Sequence, residues 1–294
     1  MGLRRKLLQA AGKAADPLCD ARDRVVAFVG GQFNDDGGAR ARSGRSDLYY
    51  TVFALQCLEA LGADIPADRV APYVRVFGGG DGLDLVHLAS LLRARALVRC
   101  DEGPGGVGGE LARRIDRFRA EDGGYHPAAA QARGTVYAAF LACGAVQDLG
   151  LELQNPDGVV RSVRSCRSAD GAYANSPGQA LGSTPATAAA VTLLADLGGP
   201  IDPGAVDWLR QRCDPRGGFR ANPLAPAPDL LSTAVALHSL GQAEAPIADL
   251  IAPCIDFVDS LWDPRGGFFG HWADGSLDCE YTFYGLLALG HLAP

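Results

Sequence analysis

The stretch DPRGGFFGHWADGSLDCEYTFYGLLALG, from Asp263 to Gly290, opens with a Gly-Gly-aromatic turn, crosses a polar loop and enters an apolar helix near Asp278. The same grammar occurs one unit earlier in DPRGGFRANPLAPAPDLLSTAVALHSLG, from Asp214 to Gly241, and the matching glycines Gly218 and Gly267 stand 49 positions apart. In both units an Asp precedes a Thr by four positions, as Asp229/Thr233 and Asp278/Thr282. A fixed period of this length marks a repeat protein, in which each unit buries its apolar face on its neighbours.

Working back from these two units, glycine turns recur at 37–38, 78–80, 123–124 and 171, with steps of roughly 41, 45, 48, 46 and 49 residues, so the chain holds six units. After each turn comes a small, apolar helix such as TVFALQCLEALG from Thr51, TVYAAFLACG from Thr135 or TAAAVTLLADLG from Thr187. Such helices are apolar on nearly all sides, as expected of elements surrounded by protein. Before each turn the pattern is amphipathic, as in GELARRIDRFRAED and AVDWLRQRCDPRGG. No alternating pattern is long enough to read as a strand of any length. Six helix pairs could form an open solenoid or a closed ring. An open solenoid needs polar capping repeats, and the last unit is as apolar as the middle ones, so the expectation is a closed all-α ring forming one domain over 1–294.

Apolar residues make up 48% and charged residues 21% of the chain, which is ordinary for a globular protein. The formal charge of −7 argues against nucleic acid as a partner, because phosphate binding needs a basic face. Eight cysteines are scattered without a CxxC pair and read as thiols in a reducing compartment. Near the start, Arg4-Arg5 precede an apolar stretch of only Leu7 to Ala11, too short for a signal core. No run approaches the ~18 apolar residues of a membrane span. The expected location is the cytoplasm.

The units GAYANSP at Gly171, GGFRANPLAPAPDLLSTAVALHSLG and GGFFGHWADGSLDCEYTFYGLLALG resemble the repeats of protein prenyltransferase β subunits, nearest to the geranylgeranyl-transferring kind, and of squalene and related terpene cyclases. The resemblance implies an α/α toroid whose inner helices start at the mouth of a central apolar cavity. It also implies an isoprenoid or similar apolar small molecule as ligand, with a protein partner possible at the ring mouth. For a prenyltransferase it implies a zinc site of an Asp, a Cys two residues later and a His just before the Thr of the last unit. Here Asp229 remains, but Leu231 and Tyr281 occupy the other two positions, and Pro223 and Pro226 replace the expected diphosphate-gripping bases. Zinc is therefore not expected, and no other cofactor is. His271, Asp278 and Cys279 match no established metal spacing.

For a terpene cyclase the resemblance implies a D-x-D-D-T acid. Asp229-Leu230-Leu231-Ser232-Thr233 lacks its central carboxyl, whereas Asp278-Cys279-Glu280-Tyr281-Thr282 offers a carboxylate pair. Asp229, Asp278 and Glu280 are accordingly the candidate catalytic residues. Glu280 is the acid whose pKa an apolar mouth would raise. Against this, Asp47, Asp229 and Asp278 are all placed to be helix caps, and Glu280 to be an exposed first-turn Glu. Arg42 and Arg45, beside Arg40 and ahead of Asp47, together with Arg133 and His126, could receive a diphosphate, or could be solvated loop charges. Tyr49, Tyr50, Tyr137, Tyr281 and Tyr284 fall at inner-helix starts, where aromatic faces could stabilise carbocations or simply pack. Three functions remain open: an isoprenoid-transforming enzyme without zinc, a non-catalytic toroid serving as lipid-binding or protein-interaction scaffold, and a prenyltransferase β subunit with a relocated metal.

Overall fold

A computed structural model describes residues 2–100 and 108–293. After α1 (Leu3–Gly12) and the short α2 (Ala15–Leu18), six helix pairs follow. Their outer members are α3 (Arg22–Gly30), α5 (Ala67–Val76), α7 (Gly108–Asp116), α9 (Pro156–Ser165), α11 (Pro203–Arg210) and α13 (Ile251–Asp259). Their inner members are α4 (Leu48–Ala60), α6 (Leu85–Val98), α8 (Val136–Asp148), α10 (Thr184–Asp196), α12 (Leu230–Gln242) and α14 (Cys279–Leu292). Each inner helix packs on the next, and α14 packs on α4, which closes the ring. The all-α ring of six pairs expected from the turn spacing is the fold observed.

Each inner helix begins at a side-chain cap: Asp47, Asp84, Thr135, Ser183, Asp229 and Asp278 each accept a backbone N–H of the first turn. That satisfies donors which a buried helix end would otherwise leave unpaired. The Thr four residues on ties this end to the turn before it. Thr233 Oγ1 donates to the Asp229 carbonyl at 2.7 Å and accepts the Phe219 N–H at 2.9 Å, and Thr51 does the same with Asp47 and Ala39. The D-x-x-x-T pattern is thus a device for holding turn and inner helix together. The turns add two-residue antiparallel strands, β1 (Phe219–Arg220) with β2 (Pro228–Asp229) and β3 (Trp262–Asp263) with β4 (Gly267–Phe268).

The turn glycines lock one unit on the next. Gly217 has φ +91° and Gly266 φ +102°, in the left-handed region that favours glycine. A Cβ on Gly217 would run into the Pro253 carbonyl of α13, and one on Gly266 would run into the Arg24 carbonyl of α3. This last contact fits the final turn onto the first outer helix.

The opening residues contribute a helix that the repeat pattern does not announce. Helix α1 lies across the C-terminal ends of the inner helices, where Leu3 N–H donates to Gln147 Oε1 at 2.7 Å, Arg4 Nε to Asp148 Oδ1 at 2.7 Å, and Lys6 Nζ pairs with Asp196 at 2.8 Å. Its cations meet the negative ends of helix dipoles, and glycines let the backbones approach, Gly290 against Ala10 and Gly12 against Ala60. One end of the ring is therefore covered by the chain itself.

Candidate functional site

The inner helices point their N-termini to the opposite end, and two hydrogen bonds join three of them there. His87 Nε2 lies 3.4 Å from Asp47 Oδ2, linking α6 to α4, and the Tyr49 hydroxyl donates to Glu280 Oε1 at 2.6 Å, linking α4 to α14. Below this mouth lies a central cavity of about 100 Å³. Aromatic rings dominate its wall: Tyr49 and Phe53 of α4, Tyr137 and Phe140 of α8, Phe283 and Tyr284 of α14. Several of these rings meet edge-on or tilted, with centroids 4.9 Å apart for Tyr49–Phe53 and 5.7 Å for Phe53–Phe283, an arrangement aromatic pairs favour. Leu7 of α1 contributes from the covered end.

The carboxylates divide by environment. Asp278 is 3% exposed; its Oδ1 caps α14 at Tyr281 N–H, and its Oδ2 accepts Arg42 Nε at 2.7 Å. Glu280 is half-buried rather than the exposed first-turn residue that its position alone allows. Desolvation raises its pKa above the ordinary carboxyl value and the nearby Asp278 charge adds to this, against the opposing pull of the Tyr49 hydrogen bond and the Arg42 charge. Asp229 caps α12 through Ser232, accepting both its N–H at 2.7 Å and its hydroxyl at 2.8 Å, and burial pushes its pKa up. Asp47 is a cap as well, with His87 as its further partner.

Arg42 is already engaged. Besides Asp278 it binds Asp274 Oδ2 at 2.7 Å, and its guanidinium stands 5.3 Å from the centre of the Tyr281 ring. It is a structural clamp between the first and last units, and an incoming diphosphate would have to displace two carboxylates. Arg45 and Arg133 are exposed, with no side-chain hydrogen bond among the described residues. His126 accepts the Ala128 N–H within its own loop, so these three are not drawn into the mouth cluster by any such bond. The tyrosines do converge. Tyr50 is half-buried and its hydroxyl pKa is pushed to about 12, mainly by desolvation. Tyr137 is 42% exposed and lines the cavity, and Tyr281 packs against Gly270.

A zinc site needs thiolate or imidazole donors. Around Asp229 the positions that the family resemblance would give to a thiolate and an imidazole carry an aliphatic Leu231 and a phenol, Tyr281, and His271 is near enough for its charge to act on Asp229. Among the described residues no three His, Cys, Asp or Glu side chains gather as metal ligands.

Sequence reasoning missed the cavity's polar wall of Gln56, Ser90 and Arg93. The available signal was the pair Arg93 and Arg95 within the largely apolar LVHLASLLRARALV, since charges enter buried helices only with a partner or a purpose. No helix is long and apolar enough to cross a membrane among the described residues.

Solved structures share this ring. The apo type II terpene cyclase MstE from Scytonema superposes with a TM-score of 0.64 at 13% identity, covering 95% of this chain and 98% of that one. Protein geranylgeranyltransferase-I from Candida albicans, complexed with GGPP, gives 0.71 at 12% identity, covering 92% and 90%. A protein from Actinoplanes gives 0.58 at 16% identity, covering 94% and 99%. These likenesses are of fold. No curated protein matches the chain in sequence. The family described as the prenyltransferase alpha-alpha toroid domain matches residues 6–212 and 201–292. With nearly the whole sequence matched, a closed ring of six helix pairs and an aromatic cavity at its axis, the chain belongs to the prenyltransferase alpha-alpha toroid family.

Proposed function

We propose that the protein binds an unsaturated apolar chain of isoprenoid type in its central cavity and protonates it from Glu280. One observation carries this reading: a half-buried carboxyl with a raised pKa is hydrogen-bonded to Tyr49, whose ring is part of the aromatic cavity wall. A carboxyl whose burial favours the protonated form can deliver a proton to an alkene, and the surrounding rings stabilise the cation that forms. Glu280 sits at the rim, so the end of a ligand emerging past Tyr49 and Tyr137 is the part it meets. Support by analogy comes from MstE, a variant of which was solved with its substrate geranylgeranyl dihydroxybenzoate, and from the geranylgeranyltransferase solved with GGPP. The reaction as proposed takes no step through zinc, and the cytoplasmic location belongs to the same proposal. Glu280→Gln keeps the shape and the Tyr49 contact while removing the proton. Turnover of an acyclic polyene, followed by gas chromatography of the products, should fall about 100-fold or more; unchanged turnover would sink the acid.

A second reading is favoured by size. At about 100 Å³ the cavity is well under the roughly 300–1,000 Å³ of ordinary ligand sites. A toroid that had become a scaffold for a protein at its mouth would show such a filled centre. Failure of any isoprenoid alcohol to bind would select it.

A further inference from the structure

The cavity carries one cation, and its surroundings leave that cation incompletely matched. Arg93, on α6, is 13% exposed at its side chain and lines the cavity. Its Nε donates to Asp148 Oδ2 at 3.0 Å, and among the described residues that is its hydrogen bond; no bond from its two terminal nitrogens is formed there. Asp148 is itself shared, since its other oxygen accepts Arg4 Nε at 2.7 Å. Two further polar groups stand on the same wall. Ser90 is three residues before Arg93, on the same face of α6, and its hydroxyl makes no hydrogen bond among the described residues. Gln56, on the neighbouring α4, is 1% exposed, and its Oε1 is buried without a partner. A buried acceptor left unpaired is costly, and Gln56 Oε1 stands on the same wall as a guanidinium and a hydroxyl with donors unused among the described residues, so the void is prepared for something polar.

We infer that Gln56, Ser90 and Arg93 form a subsite for a carboxylate carried by the apolar ligand. The terminal edge of a guanidinium matches a carboxylate with two parallel N–H donors. Ser90 and the Gln56 amide, whose NH2 can turn toward an oxyanion, supply the remaining donors. Charge and space decide against a diphosphate: a single half-matched guanidinium in a small cavity cannot neutralise several charges, and burying the surplus would be prohibitive. The inference rests on the reading that an apolar chain occupies the cavity, and it fixes the chain's direction. Arg93 lies eight residues into α6 and Glu280 one residue into α14, which at 1.5 Å per residue separates them by about 10 Å along the axis. The acid head therefore goes down and the far alkene comes up to Glu280.

The test is calorimetric titration of the full chain with three ten-carbon probes, geranic acid, geraniol and geranyl diphosphate, at pH 7.5. Geranic acid should bind about tenfold or more tighter than geraniol, the range of a charge-assisted hydrogen-bonded pair. Arg93→Gln should erase that preference while geraniol still binds. Ser90→Ala, which keeps the Arg93–Asp148 pair and so guards against a folding defect, should weaken only the acid, by a few-fold. If geraniol binds and geranic acid is no tighter, or if Arg93→Gln weakens both equally, the carboxylate subsite is wrong and the cavity reading survives. Preference for the diphosphate overturns the ligand class. Binding of none of the three overturns the cavity reading and this inference together.

Discussion

His87 shows how the mouth is held at the scale of single residues. Its ring bridges Asp84, 2.9 Å from Nδ1, and Asp47, 3.4 Å from Nε2, so it clips the caps of two inner helices together. Partial burial disfavours the charged ring, but the hydrogen bond and charge of Asp84, with Asp47 behind it, outweigh that and raise its pKa above 6.5. A group whose folded pKa is raised contributes stability below its unfolded value and loses it as pH rises through the folded value. Urea midpoints should therefore fall as the pH rises above about 6.5, by an amount equivalent to under ~1 kcal/mol because the site is partly solvated. His87→Gln should flatten that slope, and an unchanged slope would mean the clip contributes nothing. The carboxylates at the same mouth separate into caps and a candidate acid for reasons a linear reading only half reaches. Asp229, Asp47 and Asp278 advertise capping by standing just before apolar helices. By contrast, Glu280 is defined by Tyr49 and Arg42 by Asp274, partners more than 230 residues away that only ring closure brings near.

At the scale of elements, each unit is an outer helix, a glycine turn and a capped inner helix, and this much is readable because it is local. The period, the small apolar inner helices and the Thr that pins the turn all lie within one unit. Helix α1 was not readable as a member of the ring, since LRRKLLQAAG belongs to no repeat; what places it is a set of carboxylates at the far ends of α8 and α10. The turn glycines make the unit-to-unit contact testable. At Gly266 alanine meets both a φ of +102° and the Arg24 carbonyl, which is backbone and cannot step aside. Gly150 has φ +68° but nothing within 4 Å of the added Cβ. Gly150→Ala should cost only the conformational term, about 1 kcal/mol, whereas Gly266→Ala should cost about 3 kcal/mol or more, because the seam must open. Equal losses in chemical denaturation would show that the last turn does not latch the ring.

For the whole molecule, the decisive feature is that the ring has one open end. Six inner helices enclose a tube, and α1 turns the tube into a cup by covering the end opposite the caps. The helix is not a loose cover: Leu3, Leu8, Ala10 and Ala11 are buried, and Arg4 and Lys6 neutralise Asp148 and Asp196, whose side chains are only 3% and 5% exposed. A cup leaves the capped mouth, with Tyr49, Tyr137 and Glu280, as the way in, so on the proposed reading a ligand enters with its buried end first and finishes with its other end beside Glu280. It also limits depth, because Leu7 forms part of the floor. A chain beginning at Lys13 would lose that floor and leave two nearly buried carboxylates without their α1 cations. Burial of the two leucines alone is worth about 1.5–3 kcal/mol each, so the truncated ring should melt on the order of 10 °C lower by calorimetry. The same loss should relax the depth limit: the affinity of a twenty-carbon isoprenoid alcohol relative to a ten-carbon one should rise once the floor is gone. A truncated chain that melts at the original temperature would show α1 to be an accessory, and one that binds both alcohols in the original ratio would show that the floor lies elsewhere.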